Sequence, residues 1–146
     1  MAGPARPNFC LDMSASIYIM YNSCYGGFTL SDAAVDEYMR RCPEGKHPRL
    51  YELYRDDQVM AQIVKEMGAQ ASRSYSMIKL QSIPVEYRDH YTINEYDGLE
   101  TVSLNHNAYQ LDAIKSLVRD NTLSKADKLA RIAAVVNREA PELERL

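Results

Sequence analysis

The dipeptide Asp97-Gly98 restricts the fold of this chain more than any other feature of its sequence. Asp-Gly between two alternating segments is the strongest short signal for a two-residue β-hairpin loop, because both positions must adopt a positive φ. Residues 91–96 and 99–104 flank the dipeptide, and both are rich in β-branched residues, tyrosine and leucine. The sequence therefore predicts a β-hairpin over residues 91–104.

A loop of two residues also fixes which residues face each other across the hairpin. The predicted register places Ile93 opposite Val102 and Glu95 opposite Glu100, on the same face. This face is apolar until it reaches the two glutamates, so we expect it to point into the core.

In the rest of the chain, segments with strand-like or helix-like patterns are separated by turn and capping residues. We expect a strand at 14–22, helices that begin after Ser31 and near Asp56 or Asp57, a strand at 75–80 that Pro84 closes, and two helices at 107–120 and 124–140. The order β-α-α-β-β-β-α-α predicts an α+β domain with a small mixed sheet of about four strands and helices mostly on one face.

Each of the last two helices carries one apolar stripe, which we expect to be buried. The stripes are Leu111, Ile114, Leu117 and Val118 in the first helix and Leu129, Ile132, Ala133 and Val136 in the second.

Length and composition indicate one globular domain. The chain has 146 residues, and we divide it into a flexible N-terminal arm (1–13), the domain (14–139) and a charged tail (140–146). No apolar run approaches the roughly 20 residues of a membrane span, and the start of the sequence has no apolar segment typical of a secretory signal. Three cysteines at wide spacing favour free thiols, so we expect an intracellular protein that is not secreted.

The formal net charge of −3 makes nucleic acid an unlikely partner, because a protein that binds the phosphate backbone usually has a basic excess. The aromatic residues are almost all tyrosine, with eleven Tyr, two Phe and no Trp. Tyrosine suits protein interfaces, although it can equally line the edge of a small core. We therefore predict a binding surface at the turn of residues 21–28 and at the hairpin tip. Its residues are Tyr21, Tyr25, Gly26, Gly27, Phe28 and Tyr96.

Cys24 is the first candidate for a catalytic residue. It lies between a predicted strand and a helix start, where the helix dipole favours a thiolate. A Cys-based phosphatase loop would have an arginine six residues later, and Leu30 stands there instead. A structural cysteine is the alternative, and we favour it.

The pair Glu95 and Glu100 is the second candidate, because like charges that face each other on a hairpin need compensation. A bound cation, one raised pKa, or an arginine such as Arg88 or Arg73 would supply it. We favour a tip that is screened by solvent or paired with an arginine over a metal site or a catalytic pair of carboxylates. The three histidines have no metal-ligand spacing, so the sequence predicts no metal site and no cofactor.

Residues 21–35 (YNSCYGGFTLSDAAV) and 93–102 (INEYDGLETV), in that order, resemble small uncharacterised proteins encoded by large DNA viruses and some bacteriophages. The resemblance implies a viral context, either inside a virion or in its assembly in the host cytoplasm or nucleus. It assigns no catalytic residue. Taken together, the sequence favours a non-enzymatic module that binds a protein partner or itself. The alternatives are a small enzyme that uses Cys24 or the glutamate pair, and a weak nucleic-acid binder.

Overall fold

The regular elements follow the predicted order. The computed structural model describes residues 15–45, 47, 48 and 53–143. The elements are β1 (Ser16–Asn22), α1 (Asp32–Arg41), α2 (Gln58–Met67), β2 (Ile78–Pro84), β3 (Tyr91–Tyr96), β4 (Leu99–Leu104), α3 (His106–Arg119) and α4 (Lys125–Asn137), with short 3-10 turns at Gly68–Ala71 and Val85–Tyr87. The α+β class and the order β-α-α-β-β-β-α-α are confirmed.

Side-chain caps begin all four described α-helices. Ser31, Asp57, Asn105 and Ser124 each accept a hydrogen bond from the backbone N–H three residues later. Such a bond satisfies one of the N–H groups that the first turn of a helix leaves without a partner. The predicted starts of α1, α2 and α4 are therefore confirmed.

The four strands form two separate ladders, so the prediction of one mixed sheet is wrong. β1 pairs with β2 and β3 pairs with β4, both antiparallel. The segment between β1 and β2 carries α1 and α2 and returns the chain antiparallel beside β1. The β3–β4 hairpin then packs on a face of this ladder instead of extending its edge.

The two faces of the β1–β2 ladder lie in two different cores. Met20 and Ile78 face α1 and α2, where they meet Val35, Met60 and Ile63. The residues that face the other way join the hairpin in a second core. Its buried members are Ile17, Ile19, Ile83, Val85 and Tyr87. The β1–β2 ladder is thus the middle layer, with α1 and α2 on one side and the β3–β4 hairpin on the other.

The predicted register of the hairpin is confirmed. Ile93 is opposite Val102, and both pack against the second core. Asp97 and Gly98 both have positive φ values, 51° and 86°, as a two-residue loop of this kind requires. The apolar face of the hairpin therefore points inward.

The second strand begins later than predicted. Tyr75 and Met77 precede β2, which starts at Ile78 because Ile78 is opposite Asn22, the last residue of β1. Tyr75 and Met77 are consequently exposed loop residues and not part of a strand.

The expected burial of the C-terminal helices is also wrong. Neither α3 nor α4 contains a fully buried residue. Leu111, Val118, Leu129 and Val136 are all more than half exposed. The two helices pack mainly on each other. Two of the four residues of the first predicted stripe and three of the four of the second, including Ala133, are exposed.

The predicted arm at 1–13 and the last three residues of the predicted tail lie outside the described residues. Within the described ranges, no helix has the length and apolar character needed to cross a membrane.

Candidate functional site

The predicted binding turn and the hairpin tip meet in the structure. A Cβ atom on Gly98 would lie 2.5 Å from the carbonyl oxygen of Tyr25, and one on Gly26 would lie 1.4 Å from the carbonyl oxygen of Tyr75. Real Cβ atoms do not approach this closely, so glycine is required at both positions. Three segments are therefore packed backbone to backbone: the turn after β1, the loop before β2 and the tip of the β3–β4 hairpin.

Asn22 holds these three segments together. Its side chain is fully buried, and its Nδ2 donates to the carbonyl oxygens of Cys24 and Gly98, at 2.7 Å each. Its Oδ1 accepts from the backbone N–H of Met77 at 2.8 Å. An amide side chain offers two donors and one acceptor in a plane, and Asn22 uses all of them.

A buried ion pair supports the same junction. Oε1 of Glu100 accepts from the backbone N–H of Asn22 at 2.8 Å and from Nη1 of Arg55 at 2.9 Å. The Arg55 guanidinium also lies 3.6 Å from the centre of the Phe28 ring, a cation–π contact. Charge-assisted hydrogen bonds in a water-poor site are among the stronger polar contacts in proteins, so the junction is held rigidly.

The three joined segments carry exposed aromatic and apolar side chains. Tyr25 is 64% exposed, Tyr75 50%, Met77 51% and Tyr96 76%. We refer to these four residues as the tyrosine surface. Arg73 hydrogen-bonds to Tyr75 and to Asp32, and both bonds raise the pKa of Arg73.

The predicted binding residues divide into two groups. Tyr25 and Tyr96 belong to the exposed surface, and Gly26 and Gly27 shape its backbone. Tyr21 and Phe28 are partly buried, and Phe28 packs beneath Arg55. The sequence reasoning missed Tyr75 and Met77 because it assigned both residues to a strand.

Cys24 has contacts that suit a structural role. Its Sγ lies 3.4 Å from Oδ1 of Asn22 and 3.4 Å from the carbonyl oxygen of Tyr75. Both neighbours are acceptors, so the thiol acts as a donor, and these contacts include no base that could remove its proton.

The two glutamates of the hairpin have separate partners. Glu95 and Glu100 are opposite each other, as the sequence predicted. Glu100 is compensated by Arg55, whereas Glu95 is exposed and accepts from the backbone N–H of Gly98 at 2.5 Å.

The predicted compensation by an arginine is thus correct in kind, but the arginine is Arg55. Arg73 pairs with Asp32, and Arg88 pairs with the buried Asp56. Arg55 precedes α2, and its guanidinium reaches Glu100 on β4.

Two histidines lie away from this junction, at the base of α3. His106 contacts the hydroxyl of Tyr87 through Nδ1, at 2.6 Å, and His90 contacts Asp112 through Nε2, at 2.7 Å. Among the described residues, no three His, Cys, Asp or Glu side chains are grouped so that they could hold a metal ion.

Comparison with known proteins adds no relative. A scan against protein-family models gives no match, and searches of curated proteins and of solved structures give none.

Proposed function

We propose that this chain is a non-enzymatic interaction module that binds a protein partner through the tyrosine surface. The observation that carries the proposal is the exposure of Tyr25, Tyr75 and Tyr96 on three segments that a buried network holds together. Tyrosine is enriched at the centres of protein interfaces, because it buries a large ring at a small entropic cost and keeps a hydroxyl for hydrogen bonding.

The rigidity of the junction supports this function. A binding surface loses less entropy on association when its side chains stand on a fixed backbone. The contacts of Asn22, Glu100 and Gly98 fix the backbone of all three segments. These contacts give the exposed side chains a fixed backbone. The contacts of Cys24 and Glu100 do not pair a nucleophile with a general base.

The charge around the surface favours a protein over a nucleic acid. Glu95 and Asp97 are exposed and flank Tyr96 in the sequence, with Glu95 on the other face of the strand. Their negative charges at the hairpin tip repel a phosphate backbone, so binding of a nucleic acid at this tip would be opposed.

An intracellular location is part of the proposal. Cys24 and Cys42 are both free thiols, as is usual in a reducing compartment. A role in a virus particle stays a prediction from the two sequence motifs alone.

Affinity capture with matched variants tests the proposal. A tagged wild-type chain is compared with Tyr25→Ser/Tyr96→Ser and with Tyr25→Phe/Tyr96→Phe, and each captured protein is quantified by mass spectrometry. We expect the wild type to recover one specific partner, either another protein or a second copy of the chain. The Phe variant should recover most of the same amount. The Ser variant should lose about 2 kcal/mol or more of binding free energy, roughly thirtyfold in affinity.

Tyr25 and Tyr96 are both exposed, so the melting temperature of both variants should equal that of the wild type. Capture that is the same for all three chains would exclude the tyrosine surface as the binding site. A wild-type chain that is monomeric by light scattering and captures no specific protein would exclude the function itself.

A further inference from the structure

The antiparallel helices α3 and α4 present a second apolar surface, at the opposite end of β4 from the hairpin tip. Four side chains form it, and all are more than half exposed. They are Leu111 and Val118 of α3 and Leu129 and Val136 of α4. We refer to these four residues as the hairpin face, because α3 and α4 form a helical hairpin; the name does not refer to the β3–β4 hairpin.

These side chains lie on one side of the helix pair. Gln110 donates to the carbonyl oxygen of Val135 at 3.1 Å, and Lys128 donates to that of Val118 at 3.0 Å. The start of α3 therefore lies beside the end of α4, so the helices are antiparallel. In each helix the two exposed residues are seven positions apart, which is two turns along one stripe. The resulting patch is about 10 Å long and spans two helix axes about 8–10 Å apart.

The helix pair is joined to the rest of the protein by its base. Tyr109 stacks on Tyr87 with ring centres 4.4 Å apart, and Asp112 bonds to His90. Arg138, after the end of α4, pairs with Glu86. The hairpin face takes no part in these contacts.

The packing of the two helices on each other does not use the hairpin face. Ile114, Leu117, Ile132 and Val135 are the partly buried apolar residues between the helices. Leu111, Val118, Leu129 and Val136 lie beside this seam, so they form the walls of a shallow apolar groove that follows it.

Two basic residues border this groove. Lys115 lies four residues from Leu111 and three from Val118, and Lys125 lies four residues from Leu129, so both are surface neighbours of the face. Both lysines are exposed.

The acidic residues of the helix pair are engaged elsewhere. Asp112 bonds to His90, and Asp120 bonds to Thr122, which lowers the pKa of Asp120. Asp127 is two residues from Leu129 and therefore lies on the opposite side of α4. The groove is thus apolar with Lys115 and Lys125 at its border, and Glu139 lies beyond the end of α4.

We propose that the hairpin face is a docking groove for an amphipathic helix of another protein, with acidic residues beside its apolar stripe. A groove between two antiparallel helices accepts a third helix through anchors spaced at three, four and seven residues. Acidic flanks would complement Lys115 and Lys125. A second copy of this chain fits less well, because face-to-face packing would bring basic borders together and provide no acidic partner.

Binding of designed peptides tests the docking groove. The probe is a synthetic amphipathic peptide of about 18 residues, or roughly five turns, with leucines on one stripe and glutamates on both flanks. Its control has the same leucines and lysines on the flanks. Fluorescence anisotropy at low salt should show that the full chain binds the acidic peptide at least tenfold more tightly than the basic one, with a preference that weakens as salt rises.

Two variants make the test specific. Leu129→Gln should weaken binding of the acidic peptide about tenfold or more, without a change in the melting temperature, because Leu129 is exposed. Lys115→Glu/Lys125→Glu should reverse the preference, so that the basic peptide binds better. The proposal rests on other residues than the tyrosine surface, so Tyr25→Ser/Tyr96→Ser should bind the acidic peptide as the wild type does.

Equal binding of both peptides, or binding of neither, would overturn the docking groove. Sedimentation that shows a dimer which Leu129→Gln dissociates would also overturn it, because the occupant would then be a second copy. Binding to vesicles of anionic lipid that Leu129→Gln abolishes, without binding of the acidic peptide, would assign the face to a membrane surface instead.

Discussion

Removing the carboxylate of Glu100 should destabilise the protein more than any change in a surface ion pair. The Glu100 side chain is 6% exposed and that of Arg55 is 27% exposed. Glu100→Ala leaves the backbone N–H of Asn22 and the guanidinium of Arg55 without this acceptor. Breaking a buried ion pair typically costs 3–5 kcal/mol. Because Arg55 is about a quarter exposed, water can partly replace the lost carboxylate, and we expect a cost of about 3 kcal/mol.

The effect is measured by urea unfolding, with the free energy of unfolding extrapolated to water. For a domain of this size, about 3 kcal/mol corresponds to a decrease of roughly 6–12 °C in the melting temperature. A double-mutant cycle with Arg55→Met isolates the energy of the pair itself. We expect a coupling energy of about 1.5–3 kcal/mol between Arg55 and Glu100.

The chain contains a matched control for this cycle. Arg73 and Asp32 also form an ion pair between distant segments, at 3.0 Å, but their side chains are 38% and 72% exposed. The coupling energy of an exposed pair is about 0.2–1 kcal/mol. If the two cycles gave the same coupling energy, burial of Glu100 would not be what strengthens its pair. The account of a rigid junction beneath the tyrosine surface would then be refuted.

Three further substitutions test particular contacts. Burial and the neighbouring carboxylate of Asp57 raise the pKa of Tyr38. The stability that depends on its protonated hydroxyl is therefore complete below about pH 10, the pKa of an unfolded tyrosine, and is lost as the pH rises through the higher folded pKa. Tyr38→Phe should cost about 1 kcal/mol at neutral pH and flatten the loss of stability above pH 10 in urea unfolding. An unchanged slope would contradict this. Gly98→Ala should cost at least 2–3 kcal/mol in the same assay, roughly the sum of positive-φ strain and a clash with the Tyr25 carbonyl. Gly27→Ala, with φ +87° and open space around it, should cost only about 1–2 kcal/mol, and an equal cost for both would show that the clash is absent.

The local features of the fold followed from the sequence because neighbouring residues determine them. The register of β3 and β4 depends on a loop of two residues, so Asp97-Gly98 was sufficient to predict every facing pair. The helix starts at Ser31, Asp57 and Ser124 depend on a hydrogen bond across three residues. These predictions needed no knowledge of the rest of the chain.

The arrangement of the strands could not be predicted in the same way. β1 and β2 are separated by more than fifty residues in the sequence, and no turn residue specifies that they pair. An apolar strand that can extend a sheet can equally pack on the face of one, because both arrangements bury the same side chains. Hydrophobic pattern alone therefore did not distinguish one four-stranded sheet from two ladders.

The candidate site was partly visible in the sequence. The turn at Gly26 and the hairpin tip were predicted as parts of one binding surface, and the glutamate pair was predicted to need solvent or an arginine nearby. The sequence did not show that Arg55 is this arginine, because Arg55 lies 45 positions before Glu100 and several arginines were equally suitable. Tyr75 and Met77 were missed for the same reason, since the end of β1 decides where β2 begins.

The C-terminal helices show why an apolar stripe predicts a contact without naming its partner. If the stripe served only to join α3 to α4, the residues between the helices, such as Ile114 and Ile132, would be sufficient. Leu111, Val118 and Leu129 nevertheless lie outside this seam and are more than half exposed. Scattered exposed leucines and valines are common, but four on one side of a helix pair form a continuous apolar patch of the kind that marks a binding site. The basic border then distinguishes among possible occupants, because a second copy repeats its positive charge and an acidic helix neutralises it.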